Sequence, residues 1–227
     1  MDNKVIIPLD LEYSAAIDMA KNFNPEHCKL KIGSQLFTSS GPKIIKELDL
    51  MGFDIFLDLK FHDIPNTVYE AISSAADLGV WMVNVHASGG KKMLEAAKEA
   101  LKNYETPPLL IAVTILTSLS KEDLYQLGLD NLSLQVLKLA NLSYECELDG
   151  VVCASTDTAA IKERFGNKFI TVTPGIRPNE SNLNDQIRVS TPRQAIKNGS
   201  DYLVIGRPIT GSNDPAEALR NIYKEIV

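Results

Sequence analysis

Ten consecutive residues, Asp58-Leu59-Lys60-Phe61-His62-Asp63-Ile64-Pro65-Asn66-Thr67, place two carboxylates around one lysine at the end of an apolar run, Phe53-Asp54-Ile55-Phe56-Leu57. Side chains alternate along a strand, so Asp58 and Lys60 are expected on one side and Leu59 on the other. Ions gathered at a buried strand end lose much of their hydration, a cost that chemistry can justify; on an open surface the same residues would form an ordinary salt bridge. Two chemistries suit a D-x-K-x-x-D pattern. With a divalent metal, the carboxylates hold the ion and an enediolate can form. Without one, a lysine ammonium held between carboxylates can deliver a proton to a carbanion. The chain has three histidines; His27 lies beside Cys28, so the two face opposite ways on a strand, and His62 stands alone. Spacing by itself leaves the metal question open.

A second group of residues suits an anion. The run Thr173-Pro174-Gly175-Ile176-Arg177 and the turn Ile205-Gly206-Arg207-Pro208 each end an apolar stretch in a glycine and an arginine. Gly206 lets a backbone N–H approach a phosphate closely, and the Arg207 guanidinium can bind it through two nitrogens. The polar segment that follows Arg177, from Pro178 to Gln186, is long for a connection in a compact domain, and a lid over a bound phosphate is expected there.

Apolar runs at Lys4–Leu9, Cys28–Ile32, Phe53–Lys60, Val80–His86, Leu109–Leu116, Gly150–Ala154, Phe169–Val172 and Tyr202–Ile205 read as strands. Amphipathic stretches separate them, among them Gly41–Met51, Pro65–Leu78, Lys91–Tyr104 and Lys121–Ala140. Strict alternation of strand and helix implies parallel strands with helical crossovers. Eight such units close into a (β/α)₈ TIM barrel, expected as one domain over residues 1–227. An open doubly wound sheet is the alternative, but the first strand-to-helix turn lacks a dinucleotide-binding glycine fingerprint. Barrel chemistry sits at the C-terminal strand ends. Those ends carry Asp10, Lys31, Asp58 with Lys60, Asn84 with His86, Thr117, Arg177, and Gly206 with Arg207.

With 227 residues and 44% apolar content, the chain can bury one large core. A net charge of −6 disfavours nucleic acid as a partner, so positive charge for a phosphorylated ligand must be concentrated locally. Cys28, Cys146 and Cys153 are scattered and odd in number, which fits a reducing compartment and small core side chains. The N-terminal apolar run is too short for a signal peptide, and Leu109–Leu116 is too short to span a membrane. A cytoplasmic location is expected.

Across nearly its whole length the chain resembles the orotidine 5′-phosphate decarboxylase family. The resemblance rests on Leu9-Asp10, Leu30-Lys31-Ile32-Gly33, the ten residues from Asp58 to Thr67, Val83-Asn84-Val85-His86-Ala87, Val113-Thr114-Ile115-Leu116-Thr117-Ser118, Thr173 to Arg177, Asp185-Gln186 and Ile205 to Pro208. D-x-K-x-x-D alone is shared with sugar-phosphate decarboxylases and a hexulose-phosphate synthase; Arg177, Gln186 and the Gly206-Arg207 pair favour the orotidylate enzyme. The resemblance implies loss of CO₂ from orotidine 5′-monophosphate to give UMP, the last step of pyrimidine synthesis, with no cofactor and no metal. It implies Lys60 as proton donor to C6, Asp58 beside the departing carboxylate, and Lys31 and Asp63 completing the charge network. Asp10 and Lys31 would bond ribose hydroxyls, Thr117 the pyrimidine edge, and Arg177, Gln186, Gly206 and Arg207 the phosphate. It also implies a homodimer in which Asp63 and Thr67 reach the neighbouring subunit's site.

Several of these residues have plainer uses. Asp63 precedes Ile64-Pro65 and could serve the start of the next helix. His62 reads as structural or interfacial, His86 as a support to the charged residues, and Thr117 as a β-branched strand residue. Two other functions compete: a metal-dependent sugar-phosphate lyase or decarboxylase on the same barrel, and a catalytically silent nucleotide-binding barrel.

Overall fold

The structure, a computed structural model, describes residues 3–178 and 189–226. Eight parallel strands close into a barrel in sequence order: β1 (Val5–Pro8), β2 (Lys29–Gly33), β3 (Ile55–Phe61), β4 (Met82–His86), β5 (Leu109–Val113), β6 (Gly150–Val152), β7 (Ile170–Thr173) and β8 (Tyr202–Val204). Outside them lie α1 (Tyr13–Ala20), α2 (Ser34–Ser40), α3 (Lys43–Leu50), α4 (Pro65–Asp77), α5 (Lys91–Glu99), α6 (Lys121–Gln126), α7 (Leu132–Glu145), α8 (Ser155–Phe165), α9 (Pro192–Lys197), α10 (Arg207–Thr210) and α11 (Pro215–Ile226). No helix among the described residues is long and apolar enough to cross a membrane.

The period of two along each strand sorts residues between two cores. Ile6, Phe56, Met82, Ile111 and Val172 pack together inside the barrel. Their neighbours Val5, Ile7, Leu30, Ile55, Leu57, Val83, Leu110 and Leu203 belong to the core that meets the helices. The inward row of β2 is Lys29 and Lys31, both buried. Lys29 closes the lower end, ion-paired with Asp54 and with its ammonium 4.3 Å from the Trp81 ring centre. Lys31, two residues on, belongs to the upper end, where the site is built.

All eight expected strands form, with two departures in the elements around the fifth. β5 ends at Val113 rather than Leu116 because β6, with three residues, offers no carbonyl beyond Val152. Thr114 takes that carbonyl twice, through its N–H at 3.2 Å and its hydroxyl at 2.9 Å, and the chain then leaves the sheet. Thr117 therefore sits on a loop, not on a strand. The expected helix Lys121–Ala140 is two helices: Gly128 at φ +71° turns the chain, and the Asn131 side chain accepts the Leu134 N–H to start α7.

Candidate active site

β3 leaves regular pairing where its charges begin. Leu57 pairs with Val83 and Phe61 with Val85, so Asp58, Leu59 and Lys60 face the single residue Asn84. Lys60 adopts φ +54°. A left-handed backbone at a residue with a long side chain costs about 1–3 kcal/mol and persists only where its surroundings impose it. Asp58 and Lys60 do meet, as expected, but through a bulged and kinked strand rather than simple alternation.

The result is a compact cluster of ions. Asp58, 7% exposed, receives the Lys60 Nζ at 2.7 Å on one oxygen and the Lys31 Nζ at 3.1 Å on the other. Asn84 Nδ2 donates to the first oxygen at 2.7 Å, and Lys31 also reaches Asp10 at 3.5 Å. Burial alone pushes the Asp58 carboxyl up, but the Lys31 and Lys60 ammonium groups, with hydrogen bonds from Lys60 and Asn84, outweigh it and hold the carboxyl below its ordinary value. The centre thus keeps a fixed anion between two cations. Gly33 makes room for it: a Cβ there would come within 3.1 Å of Lys31 Nζ and 3.3 Å of Asp10 Oδ1.

Two adjoining cavities open at this end of the barrel. The deeper, about 190 Å³, is floored by Phe56, Val113, Val152, Val172 and Val204 and walled by Asp58, Lys60, Thr117 and Ser118. The outer, about 610 Å³, holds Asp10, Gly175, Arg177, Gly206 and Arg207. Lys31, Pro174 and Val204 line both. The deeper one alone is smaller than most ligand sites; together they fall within the roughly 300–1,000 Å³ that such sites occupy. Arg177 is buried, its Nη1 donating to the Ile176 carbonyl at 2.9 Å, while Arg207 is exposed at the start of α10. Gly206 packs where a Cβ would lie 3.0 Å from Pro8 Cγ. A small, largely apolar cavity with a polar edge, next to an arginine-lined mouth, suits a ring joined to a phosphate.

The chain thus brings Asp10, Lys31, Asp58, Lys60, Thr117, Arg177, Gly206 and Arg207 to one place. Asp63 and Thr67 are elsewhere: both are exposed, and Asp63 accepts the Ile64 N–H at 2.6 Å on a rim formed with His62, Pro65, Ser88 and Gly89. Gln186 and the expected lid from Asn179 onward lie outside the described residues. The His62 and His86 rings lie 5.4 Å apart, tilted by 35°. Burial first, then His62 and Lys60, push the His86 imidazole below its ordinary value against the pull of Asp58. Among the described residues no three His, Cys, Asp or Glu side chains group as metal ligands. The three cysteines are buried and none is in a disulfide among the described residues; burial pushes the Cys28 thiol up to about 12. Asn84 is a site residue to which sequence reasoning gave no role. Its signal was an inward carboxamide in an otherwise apolar strand interior, Met82-Val83-Asn84-Val85.

Known proteins resemble this chain over nearly their full length. The chain is 52% identical over 227 residues to the orotidine 5′-phosphate decarboxylase of Saccharophagus degradans, covering 99% of this chain and 95% of the relative. It is 55% identical over 220 residues to that of Dichelobacter nodosus, covering 96% of each. The crystal structure of orotidine 5′-phosphate decarboxylase from Lactobacillus acidophilus superposes with a TM-score of 0.86 at 37% identity, covering 99% of both chains. The orotidine 5′-phosphate decarboxylase / HUMPS family matches residues 3–222, and with the charged barrel mouth and these relatives in view, the chain belongs to that family.

Proposed function

We propose that this chain decarboxylates orotidine 5′-monophosphate to UMP and CO₂ without a metal or other cofactor. One observation carries the reading: the Lys60–Asp58 pair, 2.7 Å apart, faces an apolar slot that shares Lys31 with an arginine-lined cavity. The phosphate lies against Gly206, Arg207 and Arg177, with Gln186 assigned to it as well. Asp10 and Lys31 hold ribose hydroxyls. The pyrimidine enters the slot with Thr117 at its edge, which directs C6 and its carboxylate toward Lys60 and Asp58.

The C6–carboxylate bond breaks with its electron pair left on C6, and CO₂ departs neutral. The Lys60 ammonium stabilises that pair and gives it a proton, forming the C6–H of UMP; solvent then restores the proton to Lys60. A cation already held in place need not reorganise as the carbanion forms, which makes this the strongest lever in the site. Crowding of the substrate carboxylate against Asp58 is offset by phosphate binding at the other end of the ligand. Both Asp58 oxygens are occupied by Lys60, Lys31 and Asn84, which favours a fixed charge network over a metal ligand at this carboxylate.

Asp63 and Thr67 act in the neighbouring subunit of a homodimer. The exposure of both on their own chain supports this, as does the exposed apolar side chain of Ile64 between them. Buried cysteines outside any disulfide and the biosynthetic role fit the cytoplasm.

The test is loss of the orotate chromophore, with UMP identified as product, using EDTA-treated protein. Turnover without metal supports the reading. Activity confined to a sugar phosphate with Mg²⁺ would move the chain to the metal-dependent branch of the family.

A further inference from the structure

Two non-glycine residues among those described have positive φ, and they differ in setting. Glu147, at φ +60°, follows the end of α7, an ordinary place for a left-handed residue. Lys60, at φ +54°, lies inside β3. Here the register with β4 shifts, and Asp58, Leu59 and Lys60 stand opposite the one residue Asn84. At this irregular point a side chain serves the Lys60 backbone. Asn84 Oδ1 accepts the Lys60 N–H at 2.8 Å, and Asn84 Nδ2 donates to Asp58 Oδ1 at 2.7 Å. The orientation of the carboxamide is forced, because an amide N–H can only donate and a carboxylate can only accept. Lys60 Nζ returns to the same Asp58 oxygen at 2.7 Å, so backbone, carboxamide, carboxylate and ammonium form a closed ring of hydrogen bonds.

We propose that Asn84 is the positioning residue of this site, holding the Lys60 backbone in its left-handed form and the Asp58 carboxylate in register with the ammonium. Asn84 is fully buried and lines neither cavity, so it acts through Lys60 and Asp58 and touches no ligand. No other side chain of similar size serves both partners. Leucine leaves the Lys60 N–H and one Asp58 lone pair unsatisfied. Aspartate keeps the acceptor for Lys60 but sets a second carboxylate against Asp58. Serine is too short to bridge both.

The inference rests on the decarboxylase reading, and its test separates the two. Asn84→Leu, Asn84→Asp and Asn84→Ser are compared with wild type, and each is combined with Lys60→Ala. Two readouts are taken: steady-state kinetics with orotidine 5′-monophosphate, and hydrogen exchange of the Lys60 amide in ¹⁵N-labelled protein. Displacing a reacting group by about 1 Å costs about 10²-fold, so Asn84→Leu is expected to lower kcat by about that factor while KM moves less than about threefold. In the Lys60→Ala background the same change should add less than about threefold, because its route is already gone. Lys60 amide protection should be lost in Asn84→Leu and kept in Asn84→Asp, although both lose kcat. Should Asn84→Leu fail to fold, Asn84→Ser and Asn84→Asp give the same comparison. Losses that multiply in the double variants, an effect on KM alone, or Lys60 protection unchanged in Asn84→Leu and Asn84→Ser would overturn the proposal. If wild type does not turn over orotidine 5′-monophosphate, the decarboxylase reading fails, and amide exchange still decides whether Asn84 holds Lys60.

Discussion

Replacing Asp58 by asparagine removes one charge and almost no volume, and its consequence for stability can be worked from the ion distances. At an effective dielectric constant near 20, an anion 3.1 Å from the Lys31 ammonium and 2.7 Å from that of Lys60 gains about 5 and about 6 kcal/mol of Coulomb energy. Desolvation of a carboxylate that is 7% exposed opposes much of this. The Lys60 share is discounted further, since 34% of its side chain is open to water. The depressed ionisation of Asp58 shows which side wins: attraction exceeds desolvation. Breaking a buried pair by removing one partner costs about 3–5 kcal/mol, and the discount places Asp58→Asn near the lower figure, about 3 kcal/mol. For a chain of 227 residues that is a fall in Tm of roughly 6–12 °C at neutral pH.

The pH dependence has a definite sign. With its folded-state value below the ordinary 3.8, Asp58 binds a proton more readily in the unfolded chain, so stability rises with pH across that interval. Its contribution is complete above 3.8 and is lost as pH falls through the lowered value. Thermal melts of both proteins, at one protomer concentration, should run parallel from pH 8 to about 5 and converge only below about 4. An Asp58→Asn protein with a Tm equal to or above wild type at pH 7 would refute the reasoning. It would mean that desolvation of the carboxylate outweighs its two ammonium partners.

Three further outcomes follow from the same geometry. Arg207→Ala, which removes an exposed guanidinium from the outer cavity, should lower kcat/KM about 10²-fold, mostly through KM; an equal loss confined to kcat would remove Arg207 from the phosphate. The His86 imidazole should titrate by NMR with a midpoint below its ordinary 6.5, so its contribution to stability is complete above 6.5 and is lost as pH falls through the lowered value; a midpoint at or above 6.5 contradicts the burial and repulsion described for it. Mixing Lys60→Ala with Asp63→Ala protein should restore activity in heterodimers, and heterodimers that form without recovery would return Asp63 to its own subunit.

Much of this was legible in the sequence because parallel barrels leave a strong record. Buried strands such as Val5-Ile6-Ile7 and Leu110-Ile111-Ala112 are almost wholly apolar, so the polar residues at their upper ends stood out as site candidates. What could not be read depends on partners from other elements. The early end of β5 follows from the shortness of β6, which the sequence of β5 does not contain. The break at Gly128 and Asn131 had local signals, a positive-φ glycine and a helix-starting asparagine, but the apolar spacing on either side reads as one continuous helix. The kink at Lys60 is invisible for a deeper reason. Lysine has no propensity for positive φ, and the backbone adopts it only because Asn84, twenty-four residues away, offers a carboxamide at the right height.

The central claim is that Lys60 delivers the proton to C6. It is met most directly by single-site kinetics of Lys60→Ala with orotidine 5′-monophosphate, alongside the affinity of the same protein for UMP. Loss of a positioned general acid predicts a fall in kcat of about 10²–10⁴-fold or more, with UMP still bound through Gly206, Arg207 and Arg177. Turnover by Lys60→Ala at near wild-type speed would contradict the account.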